Sequence, residues 1–435
     1  MRVLVIGSGG REHALVWKLR QSPIVTEVFC APGNAGIEAV ANLVPLKAVD
    51  LNGLLQFAKE QEIGLTVVGP EQPLVLGIVD LFESHGLPIF GPSKAAAQLE
   101  GSKAFSKEFM MRHRIPTAGH RSFVRQQALE AERFVQELSL PVVVKADGLA
   151  AGKGVVSCET VGAAKRALYE MMEDKVFGTA GERVVIEEFL AGEEASMFAV
   201  SDGTRFLTLA PAQDHKRILD GDQGKNTGGM GAYAPAPIMT PDLQSRVIDE
   251  IVRPTIDGMR EEGMPFCGCL YVGLMVTEEG PKVLEYNCRF GDPEAQVVIP
   301  LFEGDLARLL LSASTGTLKP DMGKHHPAFA VCVVMASRGY PDDYETGKPV
   351  RGLDSINADH GEIVFHAGTR REGESVVTSG GRVLGVTAIG YGDDLEGTIQ
   401  SAYRIVGRIA FDGAYYRSDI GQKALTRLRT KMVQR

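Results

Sequence analysis

The chain opens on a short apolar run, Arg2–Ile6, closed by glycine, the pattern of a strand buried on both faces. Gly7-Ser8-Gly9-Gly10 interrupts it, and helical periodicity follows over about Glu12–Gln21. Further strand patterns fall at Val25–Cys30, Leu65–Val68 and Leu87–Phe90, with helical stretches near Leu51–Glu60 and Val75–His85. This alternation predicts a doubly wound parallel sheet with ligand loops at the carboxyl ends of its strands. Those ends read GSGGRE, APGNAG, GPEQPL and FGPS.

A helix near Ser102–His113 runs into a linker at Ile115-Pro116, and the pattern then changes. Pro141–Lys145 and Val155–Cys158 flank a glycine-rich loop. Arg183–Phe189 with Ala195–Val200, and Cys269–Thr277 with Lys282–Asn287, have the spacing of antiparallel hairpins. After about Pro327 come the strand patterns Ala328–Ala336, Glu362–Ala367 and Arg382–Ile389. The expected fold class is therefore mixed, α/β followed by α+β, in three domains. An N-terminal parallel domain spans 1–101, a middle domain spans 102–327 with an inserted hairpin lid at about 120–192, and a small strand-rich C-terminal domain spans 328–435.

Composition narrows the function classes. The formal net charge is −9 and no basic run occurs, which disfavours nucleic acid as a partner. No apolar stretch approaches the ~20 residues needed to span a bilayer, so no membrane partner is expected. Six cysteines without a CxxC pair predict a reduced, cytoplasmic chain. Without a long heptad pattern or a large apolar stripe, a monomer is the expectation. Fifty glycines in 435 residues exceed the usual ~7% and suggest many tight, backbone-lined loops.

Three stretches carry candidate chemistry. The first is Lys145-Ala146-Asp147-Gly148-Leu149-Ala150-Ala151-Gly152-Lys153-Gly154, between two strand patterns. Its glycines let backbone N–H groups approach phosphate oxygens, and Lys153 adds a charge. Three residues, not four, separate Gly148 from Gly152-Lys153, and a strand follows, which disfavours a Walker loop. The bland alternative is a glycine-rich hairpin with solvated lysines. The second stretch is Val184-Val185-Ile186-Glu187-Glu188-Phe189-Leu190, followed by Glu193-Glu194. It could offer backbone groups to a base and a carboxylate to a ribose, and taken alone it also reads as a solvated acidic turn. In the third, Glu285, Asn287 and Arg289 share one face of a strand by its period of two. A carboxylate, an amide oxygen and a guanidinium in line suit a hard cation beside a phosphate.

These stretches, in this order, resemble the ATP-grasp superfamily. VLVIGSGGREHAL, VVVKADGLAAGKGV, QDHKR, NTGGMGAY, LEYNCRFGDPE, FHAGT and SGGRVLGVTA sharpen the resemblance to the phosphoribosylamine–glycine ligase family, from Met1 to about Gly421. The resemblance implies an ATP-grasp core and a reaction of ATP, 5-phosphoribosylamine and glycine, through glycyl phosphate, in purine synthesis. It implies ATP binding by Lys103, Lys145, Gly152, Lys153 and Gly154. An adenine hinge at Glu187, Glu188, Phe189 and Leu190 and a ribose contact at Glu194 are also implied. Glu285 and Asn287 would hold Mg²⁺ or Mn²⁺. Arg289, Lys145 and Asp214 would be catalytic, with Gly9, Gly10, Asn34, Glu71, Asp214, Arg289 and Asp292 facing the sugar or glycine. His215 is a further candidate for touching substrate, and His13 reads as well as a packing residue. The strand before Glu285, Leu270–Val276, lacks the second metal carboxylate that many superfamily members carry. Glu12 occupies the place of a dinucleotide-fingerprint glycine, which disfavours an NAD site. A biotin-type carboxylase and a catalytically silent nucleotide binder are the other readings weighed. The Gly148–Gly154 hairpin is expected to be a lid ordered by nucleotide.

Overall fold

Strands β1 (Arg2–Gly7), β2 (Glu27–Pro32), β3 (Asn42–Leu43), β4 (Ile63–Val68) and β5 (Ile89–Phe90) form an all-parallel sheet. Its order is β3-β2-β1-β4-β5. The apolar run of β1 is divided by its period of two: Val3 and Val5 enter one core, Leu4 and Ile6 another. Helices therefore cover both faces, as the doubly wound pattern requires. The helix expected near Val75–His85 is two short helices, Glu71–Leu76 and Ile78–Glu83. Gly77 ends the first in a left-handed conformation, φ 93°, which a residue with a side chain adopts only under strain.

The computed structural model describes residues 1–149, 154–173, 181–356 and 361–433. Its middle region contains two four-stranded sheets. Strands β6 (His120–Val124), β7 (Val142–Ala146), β8 (Val155–Cys158) and β9 (Arg183–Glu188) make the first, in the order β6-β9-β7-β8. Strands β10 (Glu193–Asp202), β11 (Phe206–Thr208), β16 (Cys267–Thr277) and β17 (Gly280–Asn287) make the second, in the order β11-β10-β16-β17. This corrects the expectation that Arg183–Phe189 and Ala195–Val200 pair as a hairpin. β9 pairs with β6 and β7, whereas β10 pairs with β11 and β16. The short link between them is a passage from one sheet to the other, and spacing alone cannot tell that from a hairpin turn. The expected hairpin of β16 and β17 is present.

A third sheet runs across the expected boundary at 327. Before it lie β12 (Gln213–Asp214), the small hairpin β13 (Arg217–Leu219) and β14 (Gln223–Asn226), and β15 (Gly231–Ala234). Beyond it lie β20 (Ala328–Ser337), β21 (Glu362–His366) and β24 (Arg382–Tyr391). The remaining short strands are β18 (Phe302–Gly304), β19 (Gly323–His325), β22 (Thr369–Glu372), β23 (Ser375–Thr378) and β25 (Ala414–Tyr415). The sheet order is β12-β15-β20-β24-β21, with β25 on β20. Asp214 thus belongs to a strand seated on the C-terminal sheet. No helix among the described residues is long and apolar enough to cross a membrane.

Candidate active site

The floor of the cleft is β17 and the loop after it. Gly273 pairs with Glu285 and Leu274 with Val283, so Leu284 is bulged out of the ladder. Beyond the bulge the alternation holds: Tyr286 and Cys288 are buried, while Glu285, Asn287 and Arg289 face the cleft side. The freed Leu284 carbonyl accepts a hydrogen bond from Lys145 Nζ at 3.2 Å. Its side chain packs with Ala118, Leu190 and Met275 in a small apolar cluster. The bulge therefore sets a small apolar cluster beside a lysine.

Lys145 stands on β7, and its Nζ lies 2.9 Å from Glu187 Oε1 on the neighbouring β9. Lys107 Nζ reaches the other oxygen at 3.1 Å and donates to Thr117 Oγ1 at 2.7 Å. Burial alone would raise the Glu187 pKa, but the two ammonium groups hold it below the usual carboxylate range. Burial in turn brings Lys107 down to about 8 against the pull of Glu187. The side chain of Glu187 is thus spent on lysines, and its strand is paired on both sides, to β6 and β7, with Glu188 N donating to Gly119 O at 2.9 Å. The Glu188 carboxylate accepts from Gly119 N at 2.8 Å, Phe189 is exposed, and Leu190 is buried in the apolar cluster.

Lys103 begins the helix Lys103–Arg112, capped by Ser102. Asp147 Oδ1 accepts from Ser102 Oγ at 2.9 Å and from Ala104 N at 2.7 Å, which ties this helix start to the loop after β7. Lys103 Nζ donates to Gly148 O at 3.0 Å. Gly154 O accepts from Ala146 N at 2.8 Å. Gly152 and Lys153 lie outside the described residues, and with them the centre of the expected lid.

Glu194 and Lys216 form an ion pair of 2.7 Å, and Lys216 Nζ is 4.0 Å from Glu285 Oε1. Asp214 lies among these charges. Burial pushes its carboxyl up to about 8, and Glu294, Glu194 and Glu285 add to the rise that Lys216 opposes. His215, one residue on, points the other way. It is buried against Tyr233 at 5.8 Å, and burial pulls its ring down to about 4. His215 therefore does not join Asp214 and Lys216 at the cleft.

Arg289 is gripped by two acids from the N-terminal side. Its Nη2 lies 2.8 Å from Glu100 Oε1 and its Nε 3.3 Å from Glu71 Oε2. Arg289 Nη1 also donates to Phe290 O at 3.1 Å. Asp292 accepts from Gln296 Nε2 at 2.7 Å and pairs with Arg382 at 3.2 Å. A Cβ on Gly9 would lie 3.2 Å from Asp292 Oδ2, and one on Gly10 2.4 Å from Gln296 Nε2. Glycine at these positions allows the first loop and the Asp292 loop to close together. Asn34 stands apart: its Oδ1 accepts from Gly36 N and Ile37 N, and its Nδ2 donates to Ser8 O and His366 O. Its amide is fully engaged in holding loops together. His13 is likewise a packing residue, with Nδ1 accepting from His366 N at 2.8 Å.

Four residues of this charge set escape the sequence reading: Lys107, Lys216, Glu100 and Arg382. Two had local signals. Lys107 is four residues after Lys103 on one helix face, and Lys216 is two after Asp214 along an extended segment. Glu100 and Arg382 reach the site only through tertiary contacts.

Glu285 and Asn287 offer two hard oxygen donors on one strand face. Among the described residues no group of three or more His, Cys, Asp or Glu could hold a metal ion. Two oxygens do not fill a shell, but they fit a cation that takes its other ligands from phosphates and water.

A three-layer arrangement of parallel domain, hairpin subdomain and antiparallel floor, with lysines above and Glu285, Asn287 and Arg289 below, is that of the ATP-grasp enzymes, which use ATP and a divalent cation. The biotin carboxylase domain of Hydrogenobacter thermophilus 2-oxoglutarate carboxylase has this fold, with a TM-score of 0.74 at 17% identity over 95% of this chain and 91% of that one. Models of the phosphoribosylglycinamide synthetase N domain, ATP-grasp (A) domain and C domain match residues 1–100, 101–295 and 330–423. The phosphoribosylamine–glycine ligase of Vibrio vulnificus is 51% identical over 434 residues, covering 99% of this chain and 100% of the relative. The crystal structure of phosphoribosylamine–glycine ligase from Thermotoga maritima matches with a TM-score of 0.82 and 34% identity, over 97% of this chain and 100% of that one. The chain belongs to the phosphoribosylamine–glycine ligase family.

Proposed function

We propose that this enzyme joins glycine to 5-phosphoribosylamine with ATP, giving glycinamide ribonucleotide, ADP and phosphate. The observation that carries the reading is the meeting of a lysine-flanked apolar cluster, which we take as one wall of an adenine slot, with the loop held by Arg289, Asp292 and Gly9. The slot accepts adenine, with the Glu187–Leu190 backbone at its edge and Glu194 toward the ribose. Lys103 and Lys145 face the phosphates. Glu285 and Asn287 hold Mg²⁺ or Mn²⁺, which offsets phosphate charge when bound.

An amide cannot form directly from a carboxylate, whose oxygen is a poor leaving group. Transfer of the γ-phosphoryl group to glycine's carboxylate gives glycyl phosphate. The amine of phosphoribosylamine then attacks the acyl carbon and phosphate leaves. No side-chain nucleophile is required. The chain's task is to align the reactants, spread charge through its lysines and Arg289, and keep water from the acyl phosphate. Gly9, Gly10, Glu71, Asp214 and Asp292 line the acceptor end. Cytoplasmic location and a monomeric state complete this reading.

Phosphate release measured with and without each acceptor substrate tests it. Release should require both glycine and phosphoribosylamine for full rate. Release driven instead by bicarbonate would favour a carboxylase and overturn the proposal.

A further inference from the structure

The strands that carry the cleft charges have a second face. Period two turns Glu194 and Asp214 toward the cleft and their neighbours Glu193 and Gln213 away from it. On that far face Gln213 is buried and fully engaged. Its Nε2 donates to Glu193 Oε1 at 3.0 Å and to Glu194 O at 2.7 Å, and its Oε1 accepts from the Tyr233 hydroxyl. The chain of contacts ends on the last helix, Gln422–Val433, where Arg427 Nη2 donates to Glu193 Oε2 at 2.6 Å. The family's C-domain match stops at residue 423, so Arg427 lies beyond it.

We propose that Arg427 is a positioning residue for the reaction: through Glu193 and Gln213 it fixes the relative placement of Glu194, Asp214 and Lys216. Gln213 touches the Glu194 carbonyl directly and precedes Asp214 by one residue. A shift of Glu193 therefore moves both cleft strands at once. Such a link is sensitive because buried amide networks tolerate little rearrangement. Without Arg427, Glu193 keeps its charge beside Gln213 and loses its cation, which draws the amide out of its present alignment. This inference rests on the proposed function for what the cleft residues do.

Arg427→Met, Glu193→Gln and the double variant test it, with steady-state constants taken well below every variant's melting temperature. Arg427→Met should lower kcat/KM for glycine by about tenfold, the scale of one lost charge-assisted contact. Adding Glu193→Gln should recover much of that loss, because no unpaired charge remains to pull on Gln213. A lower melting temperature with unchanged kcat and KM, or additive losses in the double variant, would make Arg427 a structural contact alone and overturn the proposal. Should Arg427→Met not fold, Arg427→Lys is read the same way, with an intermediate loss expected and unchanged constants overturning it. If the natural chain shows no glycine-dependent turnover, the functional reading fails. The positioning role is then decided by calorimetric ADP affinity, which Arg427→Met should weaken and which would overturn it if equal.

Discussion

Glu100 holds Arg289 from behind: Oε1 meets the guanidinium Nη2 at 2.8 Å while Oε2 accepts from Cys288 N at 2.7 Å. One buried carboxylate thus fixes both the arginine head and the backbone that presents it. Burial raises the Glu100 pKa, and Arg289 opposes that rise. The acid lies in the short helix Gln98–Gly101, just before Lys103, so Lys103 and Arg289 share a frame.

Glu100→Gln keeps the shape and removes the charge. Arg289 then retains Glu71, a longer contact of 3.3 Å. Turnover should fall by on the order of tenfold, since a charged hydrogen bond is worth ~1.5–3 kcal/mol. ATP affinity should change little, because the proposed adenine slot and Lys145 are untouched. Steady-state rates beside an ATP titration check this, and an equal loss in both would show a general collapse of the site.

Lys145 shares Glu187 with Lys107, so its removal leaves the acid still paired. Lys145→Met should therefore fold, and its ATP dissociation constant should rise by roughly tenfold or more as a phosphate-facing cation is lost. Glu187→Ala is the opposite case. It strands two buried lysines together, and a broken buried pair costs ~3–5 kcal/mol. Calorimetric titration of the first variant and thermal melting of the second separate the two effects. Unchanged ATP binding in Lys145→Met would remove Lys145 from the nucleotide site.

Much of this was legible in the chain. The division of Val3–Ile6 between two cores, the parallel sheet and the polar face of Glu285, Asn287 and Arg289 follow from periodicity, which the backbone enforces locally. What was hidden depends on contacts distant in sequence. The link from Glu188 to Glu193 looks like a hairpin turn until β16 is known to claim β10. Asn34 looks like a ligand residue in a glycine-rich loop until its amide is seen bonding Ser8 and His366, the latter 332 residues away. The bulge at Leu284 has no adjacent glycine on its own strand to announce it, and the glycine at the register shift, Gly273, lies on the partner strand, where only the pairing gives it meaning.

Glu285 supplies one of two oxygen donors on β17, with Lys216 at 4.0 Å. Burial would raise its pKa, but Lys216, Lys145, Lys103 and Arg289 keep it below the ordinary range, ready to coordinate at neutral pH. Glu285→Gln should weaken the proposed cation site, which has few protein ligands to spare. Turnover should drop by on the order of 100-fold at ordinary Mg²⁺, as for lost transition-state charge stabilisation, and recover in part at high Mg²⁺ or with Mn²⁺. Full activity of the natural chain in EDTA would refute a metal role for this pair.

Asp214 gives a pH signature whose sign is fixed by its neighbours. The groups around it are Lys216, Glu294, Glu194 and Glu285, and together with burial they place its pKa at about 8. An aspartate in the unfolded chain titrates near ~3.9. Between those values the folded chain keeps a proton that the unfolded chain has released, so this group's contribution to stability declines as pH rises from about 4 to about 8. Asn at this position cannot ionise and removes that slope. Asp214→Asn should melt close to the natural chain near pH 4 and progressively above it as pH rises to about 8, with the gap level beyond that, every other titrating group being common to both. Parallel thermal melts across this range provide the measurement. A constant gap would mean that Asp214 titrates alike in both states, and a natural chain gaining on the variant at high pH would mean that Lys216 holds the carboxylate ionised. If the proposed acceptor end seats glycine's ammonium against this carboxyl, binding would favour its charged form and expel the proton. The heat of glycine binding near pH 7 should then vary with the ionisation enthalpy of the buffer, and a heat independent of buffer would separate the ammonium from Asp214.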